Sequence, residues 1–97
     1  MSYKTIISYT KPNAEIALHT PAVEFLNLID TYFDAGKVTQ KPVLVEDGLN
    51  STYTTIFDSE ADHLEFIDEV LNIANSDIRE TYCSDNSITY VIEEGAA

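Results

Sequence analysis

The side chains able to do chemistry in this chain are two histidines, one cysteine and a dense set of carboxylates. His19 stands just before Thr20-Pro21, and His63 falls near the start of a helix expected after Asp58. Two histidines without cysteine or aspartate at ligand spacing define no metal site. His19 reads as a packing residue ahead of a helix, and His63 as a solvated or half-buried helix residue. Asp58, Glu60, Asp62 and Glu65 have the look of a calcium loop, but the glycine such a loop needs at its sixth position is absent. The same carboxylates suit a helix N-terminus, and the six between Asp58 and Glu69 read as a solvated acidic face. Cys83 has Arg79 within reach and an acidic turn after it. Neighbouring carboxylates raise a thiol pKa, which disfavours a nucleophile and leaves a structural cysteine. The pairs Glu46-Asp47 and Glu93-Glu94 carry no acid–base signal without a cleft around them. The expectation is no cofactor, no metal and no assignable catalytic residue.

Charge narrows the partners. Seventeen Asp and Glu stand against five Lys and Arg, a formal net charge of −12 on 97 residues. That excess repels nucleic-acid phosphates and anionic membrane surfaces, so direct binding to either is not expected. An acidic surface remains open to a protein partner. If its carboxylates ran in a stripe at phosphate spacing, the chain would be a DNA mimic, an acidic inhibitor of restriction, repair or CRISPR machinery. No stretch approaches the roughly 20 apolar residues of a membrane span. The apolar patch near the N-terminus is too short and interrupted for a signal peptide. The single cysteine rules out an internal disulfide. Asn50-Ser51-Thr52 matches a glycosylation sequon, but nothing else suggests secretion, and the placement expected is cytoplasmic.

The elements follow from periodicity. Residues 3–10 are rich in β-branched and aromatic types and form a first strand, with Thr5, Ile7 and Tyr9 on one face and Ile6 and Ser8 on the other. Ile16 and Leu18 suit an extended connector over the core. Thr20-Pro21 reads as a helix start, and Ala22, Phe25, Leu26, Ile29, Tyr32 and Phe33 form its apolar stripe; Gly36 ends a helix over 21–35. Residues 42–46 and 52–58 are strands joined through Asp47-Gly48. Ser59 caps a second helix whose stripe runs Leu64, Ile67, Val70, Leu71 and Ala74 and which stops at Asn75-Ser76-Asp77. Residues 78–83 and 87–93 are expected as two short strands, with Gly95-Ala96-Ala97 as a tail.

The order is β-α-β-β-α-β, the last element doubling into a hairpin, in a single domain over 1–97. The expected class is α+β: a ferredoxin-like antiparallel sheet with two helices on one face. The other face then needs a mate. It presents either Ile7, Tyr9, Phe57 and Tyr90, or Ile6, Ile56 and Val91. With Tyr53, the first set forms the candidate dimer or ligand face: Ile7, Tyr9, Tyr53, Phe57 and Tyr90.

In its element order, and in the run from Tyr53 through Asp58-Ser59-Glu60-Ala61 to Phe66, the chain resembles the dimeric α/β-barrel proteins. These include antibiotic-biosynthesis-monooxygenase-like domains and small uncharacterised relatives, some encoded by phages. The resemblance implies a homodimer whose sheets face each other. The chain has no tryptophan, and neither histidine matches a functional position of the enzymatic members, so an oxygenase or haem role does not carry over. The leading expectation is a non-enzymatic homodimeric interaction or binding protein. The DNA mimic and a small-molecule enzyme with its pocket between helices and sheet are the alternatives.

Overall fold

The computed structural model describes residues 1–97. Seven elements follow in order: β1 Tyr3–Thr10, α1 Val23–Asp34, β2 Val38–Asp47, β3 Asn50–Phe57, α2 Glu60–Ile67, α3 Val70–Asp85 and β4 Thr89–Ala96. The strands form one open sheet in the order β2-β3-β1-β4, each neighbouring pair antiparallel. The architecture is α+β, a four-stranded antiparallel sheet with three helices, compatible with a ferredoxin-like fold. No helix is long and apolar enough to cross a membrane.

Two expectations are corrected. There are three helices rather than two, and residues 78–83 are helical, so no terminal hairpin forms and the sheet has no fifth strand. The expected second helix breaks at Asp68-Glu69, where Glu69 is extended and accepts a hydrogen bond from the Tyr32 hydroxyl at 3.0 Å. The chain resumes as α3 and runs straight through Asn75-Ser76-Asp77. These residues favour caps and turns because their side chains compete for nearby backbone groups, but that preference is under about 1 kcal/mol each and packing overrides it. Here Asn75 and Cys83 are both buried, eight residues apart on one helical face.

Several terminators match their chemistry. Gly36 takes φ 76°, donating its N–H to the Phe33 carbonyl, while Lys37 donates to that of Tyr32, which closes α1 in a Schellman motif. Ser59 caps α2: the Asp62 N–H donates to its Oγ at 3.1 Å, and its hydroxyl donates to the Asp62 carboxylate at 3.0 Å. Thr20 does not cap α1. The cap position is Ala22, extended and without a side-chain hydrogen bond, so Pro21 lies just before the cap and not at the first helical position. Strand β2 starts at Val38 and absorbs Pro42 through register shifts, since proline cannot donate to a ladder. Gly95 and Ala96 pair with Lys4 and Tyr3 instead of forming a tail.

All three helices cover the sheet face of Tyr3, Thr5, Ile7 and Tyr9. The core beneath them is divided. Ile29, Tyr32, Val38, Phe57 and Phe66 form one buried cluster; Tyr9, Cys83 and Ile88 form another, joined by Ile16 and Leu18 of the connector. Only 11 of 97 residues are buried, and the two clusters sit at opposite ends of β1, so its middle is not sealed by the helices. Carboxylates are distributed over all three helices and both edge strands.

Candidate functional site

The gap between the two clusters is a cavity of about 800 Å³ between sheet and helices. Ligand sites span about 300–1,000 Å³, so the space is large enough for a small organic molecule. Its floor is the middle of the sheet: Thr5 and Ile7 of β1, Tyr53 and Thr55 of β3, and Ile92 of β4. Register brings these together, since Ile7 pairs with Tyr53 on one side and with Ile92 on the other. The roof is Phe25, Leu26 and Ile29 of α1 with Ile73, Ser76 and Arg79 of α3. Small Thr5 and Thr55, directly opposite each other, leave the space that larger residues would fill.

At one end lies His63, only 2% exposed. It is not the solvated or half-buried residue expected. Capping at Ser59 turns this position inward, and the imidazole packs against the Tyr3 ring at 4.8 Å and edge-on to Phe57 at 5.1 Å. Its Nε2 lies 3.7 Å from the Glu94 carboxylate, and its Nδ1 has no hydrogen-bond partner although it is buried. At the other end Arg79 sets its guanidinium 5.5 Å from the centre of the Tyr90 ring, with Nε also buried and unpartnered. Buried polar atoms without partners are uncommon in folded proteins, and each costs about 1–3 kcal/mol. Both such atoms in this chain belong to residues lining the same cavity.

The electrostatics differ along the space. At the mouth, Lys41 is satisfied by Asp30 at 2.8 Å. Around Arg79, burial pushes the Tyr9 hydroxyl up to about 12 and raises the Cys83 thiol, with the guanidinium opposing both shifts. Burial, aided by Arg79, lowers His19. Cys83 is 1% exposed and sits one helical turn beyond Arg79, so it is a packing residue of α3 and not a strand residue. His19 is half-buried, its ring 6.0 Å from that of Tyr82, whose hydroxyl donates to the Ala17 carbonyl and ties the connector down.

Of the residues singled out from sequence, Ile7, Tyr9, Tyr53, Phe57 and Tyr90 all lie on the helix-covered face, and the first four line the cavity. Tyr90 lies beside Tyr9, the rings tilted with centres 5.8 Å apart, and supports Arg79. The opposite face carries Ile6, Ile56 and Val91 with Val43 and Val45, and no element covers it. Sequence reasoning passed over His63 and Arg79 as site residues. The available signal for Arg79 was its recurrence with Asn75 and Cys83 at four-residue steps, a helical stripe whose members are polar. Asp58, Glu60, Asp62 and Glu65 do not converge: no group of three or more His, Cys, Asp or Glu is arranged to hold a metal ion. No protein-family model matches the chain, and no curated protein is similar to it in sequence.

Proposed function

We propose that this chain is a non-enzymatic binding protein that holds a small, largely apolar molecule between its sheet and helices. The observation that supports it is the pairing of a roomy apolar cavity with two buried nitrogens, on His63 and Arg79, that have no partner within the chain. Apolar walls supply affinity, and a few convergent polar groups fix orientation. A ligand satisfying either nitrogen would recover the desolvation cost the free protein bears. The test is thermal unfolding with and without 1-octanol as a neutral apolar probe. Preferential binding to the folded state raises the melting temperature by mass action. A fall or no change, the ordinary effect of an alcohol, contradicts the reading.

A homodimer is the second reading, favoured by a separate observation. The uncovered sheet face carries Val43, Val45 and Val91, which are 48%, 61% and 61% exposed, beside Ile6 and Ile56. Apolar surface of this kind is a contact surface more often than not, and two-fold pairing is the commonest way soluble chains cover it. The strand order, read from the other edge as β4-β1-β3-β2, supports the finer assignment to a split βαβ, ferredoxin-like topology, in which this face is free for a second sheet. Light scattering at high micromolar concentration should give twice the chain mass. A monomer mass there contradicts the dimer and leaves the cavity untouched.

A further inference from the structure

We propose that Arg79 is the recognition residue for a single carboxylate, so that the ligand is an amphipathic monocarboxylic acid with its apolar body over Ile7 and Ile92. The inference rests on the binding role of the cavity argued above and names its ligand class. Arg79 is the sole arginine of a chain with 17 carboxylates, yet its side chain forms no ion pair and no hydrogen bond with any of them. In so acidic a molecule an uncommitted, partly buried guanidinium is the reverse of what surface electrostatics produce by default. The other cation on the cavity wall, Lys41, is already paired with Asp30.

The geometry holds Arg79 in readiness. The Tyr90 ring lies 5.5 Å from the guanidinium carbon, a cation–π contact that steadies the group without occupying its hydrogen-bonding edge. Guanidinium matches a carboxylate with two parallel hydrogen bonds, which a lysine at the same place could not make. A dianionic phosphate fits poorly. The whole chain carries −12, and Asp77, Asp30 and Glu94 also line this cavity, so one guanidinium compensates one negative charge at most. The length of the apolar body follows from register. Tyr90 lies in the row of Tyr9, and Glu94, beside His63, in the row of Thr5. Four residues of strand at about 3.3 Å each separate these rows by about 13 Å, which accommodates a chain of about eight carbons or a bicyclic ring.

The experiment is calorimetric titration of the folded protein with octanoate and, in parallel, with 1-octanol, the same chain bearing no charge. The inference predicts that octanoate binds at least about tenfold more tightly, the worth of one charged hydrogen-bonded contact. Arg79→Gln should abolish that preference, so that octanoate binds no more tightly than 1-octanol to the variant, while Arg79→Lys retains part of it. Equal affinities in the unaltered protein, or a preference that survives in Arg79→Gln, overturn the carboxylate role but not the cavity's binding role. If neither probe binds, the cavity reading itself falls and the carboxylate role with it. The comparison of the two probes in the unaltered protein does not depend on any variant folding.

Discussion

His63 and Glu94 approach to 3.7 Å across the end of the cavity, which joins α2 to the edge strand β4 through an imidazole whose other nitrogen has no partner at all. An arrangement of this kind costs stability in the free protein. Replacing His63 with leucine removes the orphaned polar atom and keeps apolar contact with Tyr3 and Phe57. His63→Leu should therefore raise stability by about 1 kcal/mol, or about 4–8 °C in melting temperature for a domain of this size. Calorimetric melting of both proteins without ligand checks this, and a lowered melting temperature would mean that the Glu94 contact outweighs the orphaned nitrogen.

The C-terminus of α3 stores a second, unrelated strain. Ser87 takes φ 57°, the left-handed region, so that the Ile88 N–H can reach the Cys83 carbonyl at 2.9 Å and both side chains can join the Tyr9 cluster. A side chain there costs about 1–2 kcal/mol relative to glycine. Ser87→Gly should stabilise the protein by up to about 1 kcal/mol, less than the full strain because glycine also gains freedom in the unfolded chain. Chemical denaturation is the measurement; a loss of stability would show that the Ser87 side chain contributes more than its conformation costs.

The Cys83 thiol should be inert. Burial at 1% exposure both hides it and raises its pKa, with Arg79 only partly opposing. Reaction with a disulfide reagent at pH 8 should be at least about a hundredfold slower in the folded protein than in denaturant, since the thiolate is the reacting species. Comparable rates would place the thiol at an open surface, contrary to its position behind Tyr9.

His19 should make folding sensitive to mild acid. Its folded pKa lies below the ordinary 6.5 because burial and Arg79 both disfavour the charged ring. Below 6.5 the unfolded chain therefore binds more protons than the folded one, and stability falls as pH drops through that window and is restored above it. His19→Gln should lose this component, visible as a smaller change in melting temperature between pH 7 and pH 5.5. Identical changes in both proteins would remove His19 as the source; carboxylate titration, common to both, cancels in the comparison.

Much of the frame was legible because its signals are local. Alternation in 3–10 and 52–58, the Ser59 cap and Gly36 past α1 each act within a few residues, and the structure places them as read. The final third was misread for a physical reason. The middle of α3 faces a cavity instead of a packed core, so its inward positions include the polar Asn75, Ser76 and Arg79, while Val70 and Ile78 stand largely exposed. Apolar periodicity therefore fails where a helix covers an open space. The same fact hid half of the site: Ile7, Tyr9, Tyr53 and Phe57 were visible as one face of a pleat, but His63 and Arg79 reach that face only through the packing of α2 and α3.

Isoleucine methyl resonances give the most direct test of the cavity as a binding site, because Ile7, Ile29 and Ile92 line it while Ile6 and Ile56 lie on the opposite side of the sheet. Titration with 1-octanol should shift the first three and leave the other two in place. Shifts confined to Ile6 and Ile56, or none at all, would contradict ligand binding between sheet and helices.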